Sequence, residues 1–398
     1  MPAADALPDD VILEILARVP DAPSLLRCAA VCRCWRALVA NPSFLRRRWP
    51  DSAYSLLGFF VPKKLNRGDH EAISFLPGPR SALADGSRLL SSFVPDAAGL
   101  PAACVYPLTS HDGLLLLSLR LLNRIHAPRV LAVCSLLAGT CHVLPPFEWY
   151  LCCVGHAVLT SADFRQLPPS SSSSSFFKVL MIVLGKDGTG YDLHTFVSGQ
   201  PSWNAPTKCS SRVPPGFVMH GDAVVCQGAA YWLFCESSCF HVLAVDAETG
   251  RVSSTKLTSP VSPWPDHADL NVQRGGCRLA TTTDGKLLSL CLYDAGLQLV
   301  EIWTRPAAGH GVQDWPRTGL IDLKPILDQQ PQQGRSVCLG GGCGKLLIML
   351  AHRHGYIANL QTGTIQEVDD NQSSSRPVTS TVVCMEIDWT KFFMARLA

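Results

Sequence analysis

The residues from Leu7 to Trp49, LPDDVILEILARVPDAPSLLRCAAVCRCWRALVANPSFLRRRW, constrain this chain most, because they encode a short helical unit with more apolar surface than it can bury within itself. Pro8 suits the first turn of a helix, where its missing N–H costs nothing, and Asp9 and Asp10 complement the positive end of the helix dipole. At helical pitch Val11, Ile12, Ile15, Leu16 and Val19 fill one arc, which Leu13 widens, while Asp10, Glu14 and Arg18 lie opposite. Pro20 stops this helix, and Asp21, Pro23 and Ser24 start the next, which runs to a stop at Asn41 and Pro42. As one straight helix, that segment would point Leu25, Leu26, Val31, Trp35, Leu38 and Val39 almost all the way round. A bend near Ala30 resolves the conflict, so three helices are expected within residues 1–50. A unit of roughly 40 residues is marginal as a lone core, so another surface must cover it.

The sequence of Leu7-Pro8, Ile15-Leu16, Leu25-Leu26, Val31-Cys32, Trp35-Arg36 and Pro42-x-Phe44 closely resembles the F-box, a helical motif that docks onto the Skp adaptor of cullin-based ubiquitin ligases. The resemblance implies that Leu7, Pro8, Ile12, Ile15, Leu16, Leu25, Val31, Cys32, Trp35 and Leu38 divide between the adaptor contact and the internal core of the unit. It also implies a Skp-family adaptor and, through it, a cullin as partners. Cys34 departs from the pattern, standing where the family more often carries a polar or basic residue. The breadth of the apolar arc fits a helix-in-groove contact better than a plain cap on the rest of the chain.

Composition bounds the remainder of the chain. With 398 residues, 47% hydrophobic and 17% charged, it can build a sizeable core and lacks the charge density of disorder. A net charge of +2 leaves no broad footprint for nucleic acid, and the one dense basic run, Arg46 to Arg48, reads as a solvated helix end. The first residues, MPAADALPDD, carry acids where a secretory or transit signal needs cations, and the apolar run Leu114–Leu122 is broken by Ser118 and Arg120. No membrane segment or secretion is expected, and 17 cysteines then read as small buried hydrophobes in a reducing compartment, cytoplasmic or nuclear. The groups Cys28/Cys32/Cys34, Cys235/Cys239 and Cys338/Cys343 lack paired zinc-ligand spacing, and His352 with His354 has no matching second pair. No metal and no cofactor is expected.

From Tyr54 onward, helical periodicity gives way to short apolar runs punctuated by Gly, Pro, Asp and Ser. Gly113-LLLLSL, Gly228-AAYWLF, Gly285-KLLSLCL and Gly344-KLLIML each place a glycine turn before a buried strand, and FKVLMIVL (Phe177–Leu184) falls in the gap. A second phrase, strand, tight turn and strand, recurs around Gly139, Gly250 and Gly363; in the last two, Asp246 and Asn359 stand where a side chain bonds the turn's backbone. A period of about 57 residues divides residues 51–398 into about six units, which predicts a roughly six-bladed β-propeller. Radial repetition also leaves only short, protected strand edges. A pair of β-sandwiches is the competing architecture. With the helical unit at residues 1–50, the whole chain classes as α+β. Tyr231-Trp232, Asp246 to Gly250 and Leu297 to Trp303 resemble phrases of the F-box-associated region of plant F-box proteins, especially those of grasses.

Chemistry-bearing motifs are sparse. Thr282-Thr283-Asp284-Gly285 lacks the Trp of an Asp-box, and Gly340 to Lys345 fails the phosphate-loop order, with Leu346 in place of Ser or Thr. Asp9-Asp10 and Asp369-Asp370 are adjacent pairs that need not face one another. The loops Pro168–Ser175, Asp328–Arg335 and Asp369–Arg376 offer little to bury. Thr258–Asp269 differs, since Trp264 stands between prolines and suits either an anchor for a target protein or packing on its own blade. These readings point to a non-catalytic substrate-recognition subunit that joins an adaptor to an unidentified target. A non-ligase interaction scaffold and a propeller enzyme are the alternatives.

Overall fold

The computed structural model describes residues 7–19, 22–49, 55–64, 71–78, 90, 94, 96, 99, 103–121, 130–136, 139–147, 153–165, 176–185, 190–210, 218–219, 223–236, 239–257, 277–282, 286–294, 298–306, 315–328, 337–341, 344–350, 355–368 and 382–397. Four helices open the chain: α1 (Asp9–Ala17), α2 (Ala22–Ala29), α3 (Arg33–Val39) and α4 (Pro42–Arg48). The bend after Ala29 separates α2 from α3, as the residue pattern requires. The fourth helix corrects the expectation of three. Asn41 and Pro42 begin a helix as well as ending one: the Asn41 side chain accepts the Ser43 N–H at 2.9 Å, and Pro42 occupies the first turn.

Strands β1 (Ser55–Lys64) and β2 (Glu71–Pro77) begin the β-domain. Four strands come next in one sheet, β3 (Ala103–His111), β4 (Leu114–Leu121), β5 (Val130–Ser135) and β6 (Thr140–Val143), and four in another, β7 (Cys153–Thr160), β8 (Phe177–Leu184), β9 (Tyr191–Val197) and β10 (Thr207–Ser210). The fourth sheet holds β11 (Val218–Met219), β12 (Val224–Cys226), β13 (Ala229–Glu236), β14 (Cys239–Asp246) and β15 (Val252–Leu257); β11 and β12 both pair with β13, so they share the inner position. The fifth holds β16 (Cys277–Thr281), β17 (Leu288–Asp294), β18 (Leu299–Thr304) and β19 (Arg317–Asp322), trailed by the single turn α5 (Lys324–Leu327). The sixth holds β20 (Val337–Gly341), β21 (Lys345–Leu350), β22 (Gly355–Asn359) and β23 (Ile365–Val368). The last strand, β24 (Val383–Ile387), returns to pair antiparallel with β1, and helix α6 (Trp389–Leu397) ends the chain's described part.

This return closes a ring. The inner strands touch in the order β24, β3, β7, β12, β16, β20 and back to β24. The fold is therefore a six-bladed β-propeller, and the β-sandwich pair is excluded. Each blade is covered by neighbours on both faces, which is why its central strands read as unbroken apolar runs. In β4, Leu115, Leu117 and Leu119 face the first blade with Leu57 and Phe60, while Leu116 faces the third with Val179 and Met181. The remaining boundaries repeat the device: Ile182 against Trp232, Leu233 against Leu290, Cys291 against Ile348, and Met349 against Phe59.

The repeated glycines hold the turns. Gly113, Gly228 and Gly344 carry φ of 80°, 71° and 65° between the inner and second strands, where L side chains are disfavoured. Two of them also lean on the preceding blade: Gly113 N–H donates to Glu386 O at 2.9 Å and Gly344 N–H to Thr281 O at 2.9 Å. Gly139, Gly250 and Gly363 serve the outer hairpins, with Asp246 and Asn359 accepting the N–H groups of Thr249 (2.7 Å) and Thr362 (3.2 Å). FKVLMIVL is β8, a second strand reached through the long connection that contains the serine run rather than through a glycine turn.

Candidate functional site

Helix α1 splits its broad apolar arc into two stripes. Ile12 and Leu16 are buried against Leu25, Ala29, Val39, Phe44 and Leu45, with Leu13, Ala17 and Val19 half-covered beside them. Along the other flank, Leu7, Val11 and Ile15 stand four residues apart and remain 55%, 41% and 44% exposed. Pro8 is the exposed N-cap of this helix, one position before the turn it was expected to occupy, and its carbonyl accepts the Ile12 N–H at 3.1 Å.

The α2–α3 corner extends this surface. Val31 is 69% exposed, and exposed Cys32 caps α3 by accepting the Trp35 N–H at 3.4 Å. The Cys34 thiol donates to the Asp9 carboxylate at 3.8 Å, tying the start of α3 to the start of α1. Desolvation, the Asp9 carboxylate and neighbouring Cys32 together push the Cys34 thiol above its ordinary value. Trp35 and Leu38 are half-buried along the junction with the helical core. Of the ten residues the sequence singles out, Leu7, Pro8, Ile15, Val31 and Cys32 thus lie on the surface, and Trp35 and Leu38 border it. Ile12, Leu16 and Leu25 sit inside and hold the helices in register. Val11 belongs to the exposed stripe as well; its place in the α1 arc was the signal for it.

The underside of the unit is clamped. Arg48, at the end of α4, donates from Nη1 to Ala17 O at 2.6 Å and from Nη2 to Val19 O, satisfying carbonyls left open at the end of α1. Arg47 pairs with Glu14 at 3.3 Å across exposed surface. The basic run therefore caps and flanks helices. Trp49 stacks on Trp389 with ring centroids 5.1 Å apart and planes at 18°, and on Phe393 at 5.5 Å. The helical unit, α6 and the wall between the first two blades form one continuous apolar core. Sequence reasoning missed this seat, although WTKFFMARL offered an aromatic face at helical spacing directly after a strand.

Among the described residues no three His, Cys, Asp or Glu side chains gather as a metal-binding group, and no helix is long and apolar enough to cross a membrane. Trp264, His352, His354, Cys343, Asp369 and Asp370 lie outside the described residues, as do the side chains of Cys235, Cys239 and Cys338.

The F-box-like family matches residues 4–49. No curated protein matches the chain. Among solved structures, a luciferin-regenerating enzyme is 10% identical over 68% of this chain and 78% of its own, with a TM-score of 0.37. A chain of a mitotic checkpoint complex is 13% identical over 69% and 67%, with a TM-score of 0.35. The Cps50 (Swd1) β-propeller domain of Myceliophteria thermophila is 10% identical over 68% and 87%, with a TM-score of 0.34. The ring of strands carries the fold assignment without them. The chain is an F-box-like domain at its amino end, seated on a six-bladed β-propeller.

Proposed function

We propose that this protein is a substrate-recognition subunit of an SCF-type ubiquitin ligase, with the F-box-like helices binding a Skp-family adaptor, and through it a cullin, while the propeller holds a target protein. The observation that carries the reading is the exposed apolar surface of Leu7, Val11, Ile15 and Val31 on a unit whose buried side is already packed against α6 and the propeller. A soluble helical unit that leaves such a strip bare is suited to an apolar groove on another protein. The chain performs no bond chemistry in this reading. It raises the effective concentration of target lysines beside the conjugating enzyme, whose cysteine carries the ubiquitin.

The seat on α6 supports the reading mechanically. β1 leaves the F-box side and β24 ends beside it at Ile387, so the adaptor end sits over the ends of these strands. Leu257 and Cys277, which border the connection containing Trp264, lie at the opposite ends of their blades, because β15 runs away from the inner-strand turns and β16 runs toward them. Target contact through that connection, Trp264 included, is part of the proposal. So are a reducing cytoplasmic or nuclear compartment and kinship with plant, grass-type F-box proteins.

Capture by the adaptor tests the function. Leu7→Ala combined with Pro8→Ala, or Trp35→Ala alone, should abolish co-purification with a Skp-family adaptor. Undiminished capture by folded variants refutes the assignment. Adaptor bound without cullin in the same complex would favour an interaction scaffold instead.

A further inference from the structure

We propose that Cys134 and Cys141 form a modification site: a cross-strand dithiol on β5 and β6 that a hydroperoxide converts to a reversible disulfide. The two residues are register partners in an antiparallel pair, and both are free thiols in this structure. The Leu144 N–H donates to Leu131 O at 2.8 Å, which makes 131 and 144 a hydrogen-bonded pair. Bonded and non-bonded pairs alternate, so three steps along the hairpin Cys134 and Cys141 face each other as a non-bonded pair. Opposed residues of that kind have Cα atoms about 4.5 Å apart, inside the range a disulfide spans. Cys291, equally buried, has Arg278 and Ile302 opposite it and no such partner.

The pair is also chemically asymmetric. The Cys134 thiol hydrogen-bonds the Cys141 sulfur, which raises the Cys134 thiol and holds the Cys141 thiol below its ordinary value. Cys134 is fully buried, while Cys141 is half-buried on the outermost strand of its blade. Cys141 is therefore the sulfur that meets an oxidant first. Its thiolate attacks the peroxide's terminal oxygen, the O–O bond breaks, and an alcohol or water leaves with the proton that Cys141 gave up. The resulting sulfenic acid is attacked by the Cys134 sulfur: the S–S bond forms, the S–O bond breaks, and the hydroxyl departs as water with the Cys134 proton. Two thiols lose two electrons and the peroxide gains them. A small dithiol reverses the bond by exchange.

The test uses the reduced full-length chain, limited hydrogen peroxide, alkylation and peptide mapping by mass spectrometry. The expected product is a fragment lighter by two hydrogens with its link mapped to 134 and 141, restored by dithiothreitol. Cys134→Ser should instead leave Cys141 as a sulfenic acid that dimedone traps. Peroxide that oxidises exposed Cys32 yet leaves 134 and 141 unlinked, or that links either to another cysteine, overturns the proposal.

Discussion

The indole of Trp49, the last residue of the F-box-like match, lies flat on the indole of Trp389 at the start of the final helix, 5.1 Å away and 18° from parallel. The F-box-like unit is therefore fixed to the propeller by the same segment that closes the ring. Removing one indole should loosen both. Trp389 is 4% exposed, so Trp389→Ala should cost about 3–5 kcal/mol in chemical denaturation, with Trp389→Phe recovering part of it.

Arg48 should be irreplaceable by lysine. Its two nitrogens reach the carbonyls of Ala17 and Val19 together, a fork that an ammonium cannot reproduce. Arg48→Ala should destabilise the helical unit by about 1–3 kcal/mol, and Arg48→Lys should fall well short of wild type. Amide exchange in the last turn of α1 should accelerate in both.

Two glycines should answer differently to the same substitution. A Cβ on Gly58, at φ +153°, would stand 2.3 Å from Leu76 O and 2.6 Å from the Phe75 ring, so Gly58→Ala should cost several kcal/mol, on the order of the largest core effects. Gly139 has φ +66° but open space around it, so Gly139→Ala should cost only about 1 kcal/mol in left-handed strain. Thermal unfolding of the two variants separates strain joined to a collision from strain alone.

The turn at Asp246 carries a pH signature. The Thr249 backbone N–H, then the Thr249 hydroxyl, hold the Asp246 carboxyl below its ordinary 3.8. A carboxylate depressed by folding contributes stability above its unfolded-state value and loses it as pH falls through the folded one. Asp246→Ala should therefore be less stable than wild type at neutral pH, with the gap closing below pH 3.8. Asp246→Asn, which keeps the acceptor, should lie between them.

Much of this architecture was legible because propeller blades bury both faces. Runs such as LLLLSL and KLLIML could only be central strands once glycine turns recurred before them, and the turn residues Asp246 and Asn359 bond as their spacing requires. Helix α4 was hidden because Asn41-Pro42 reads equally as a stop and a start. The division of α1 was hidden too: hydrophobicity places Ile12 and Ile15 in one arc, and only the packing of Leu25, Phe44 and Leu45 against one side decides which is covered. The seat on α6 depends on contacts between residues at opposite ends of the chain, which no local pattern records.

The most direct measurement is calorimetric titration of the full-length chain with a purified Skp-family adaptor, comparing wild type with Ile15→Asp/Val31→Asp, two exposed positions whose change leaves the core intact. The account predicts unchanged thermal unfolding and at least about a 100-fold loss of affinity, as central apolar contacts of an interface give when replaced by charge. Wild-type affinity in the folded double variant would contradict it.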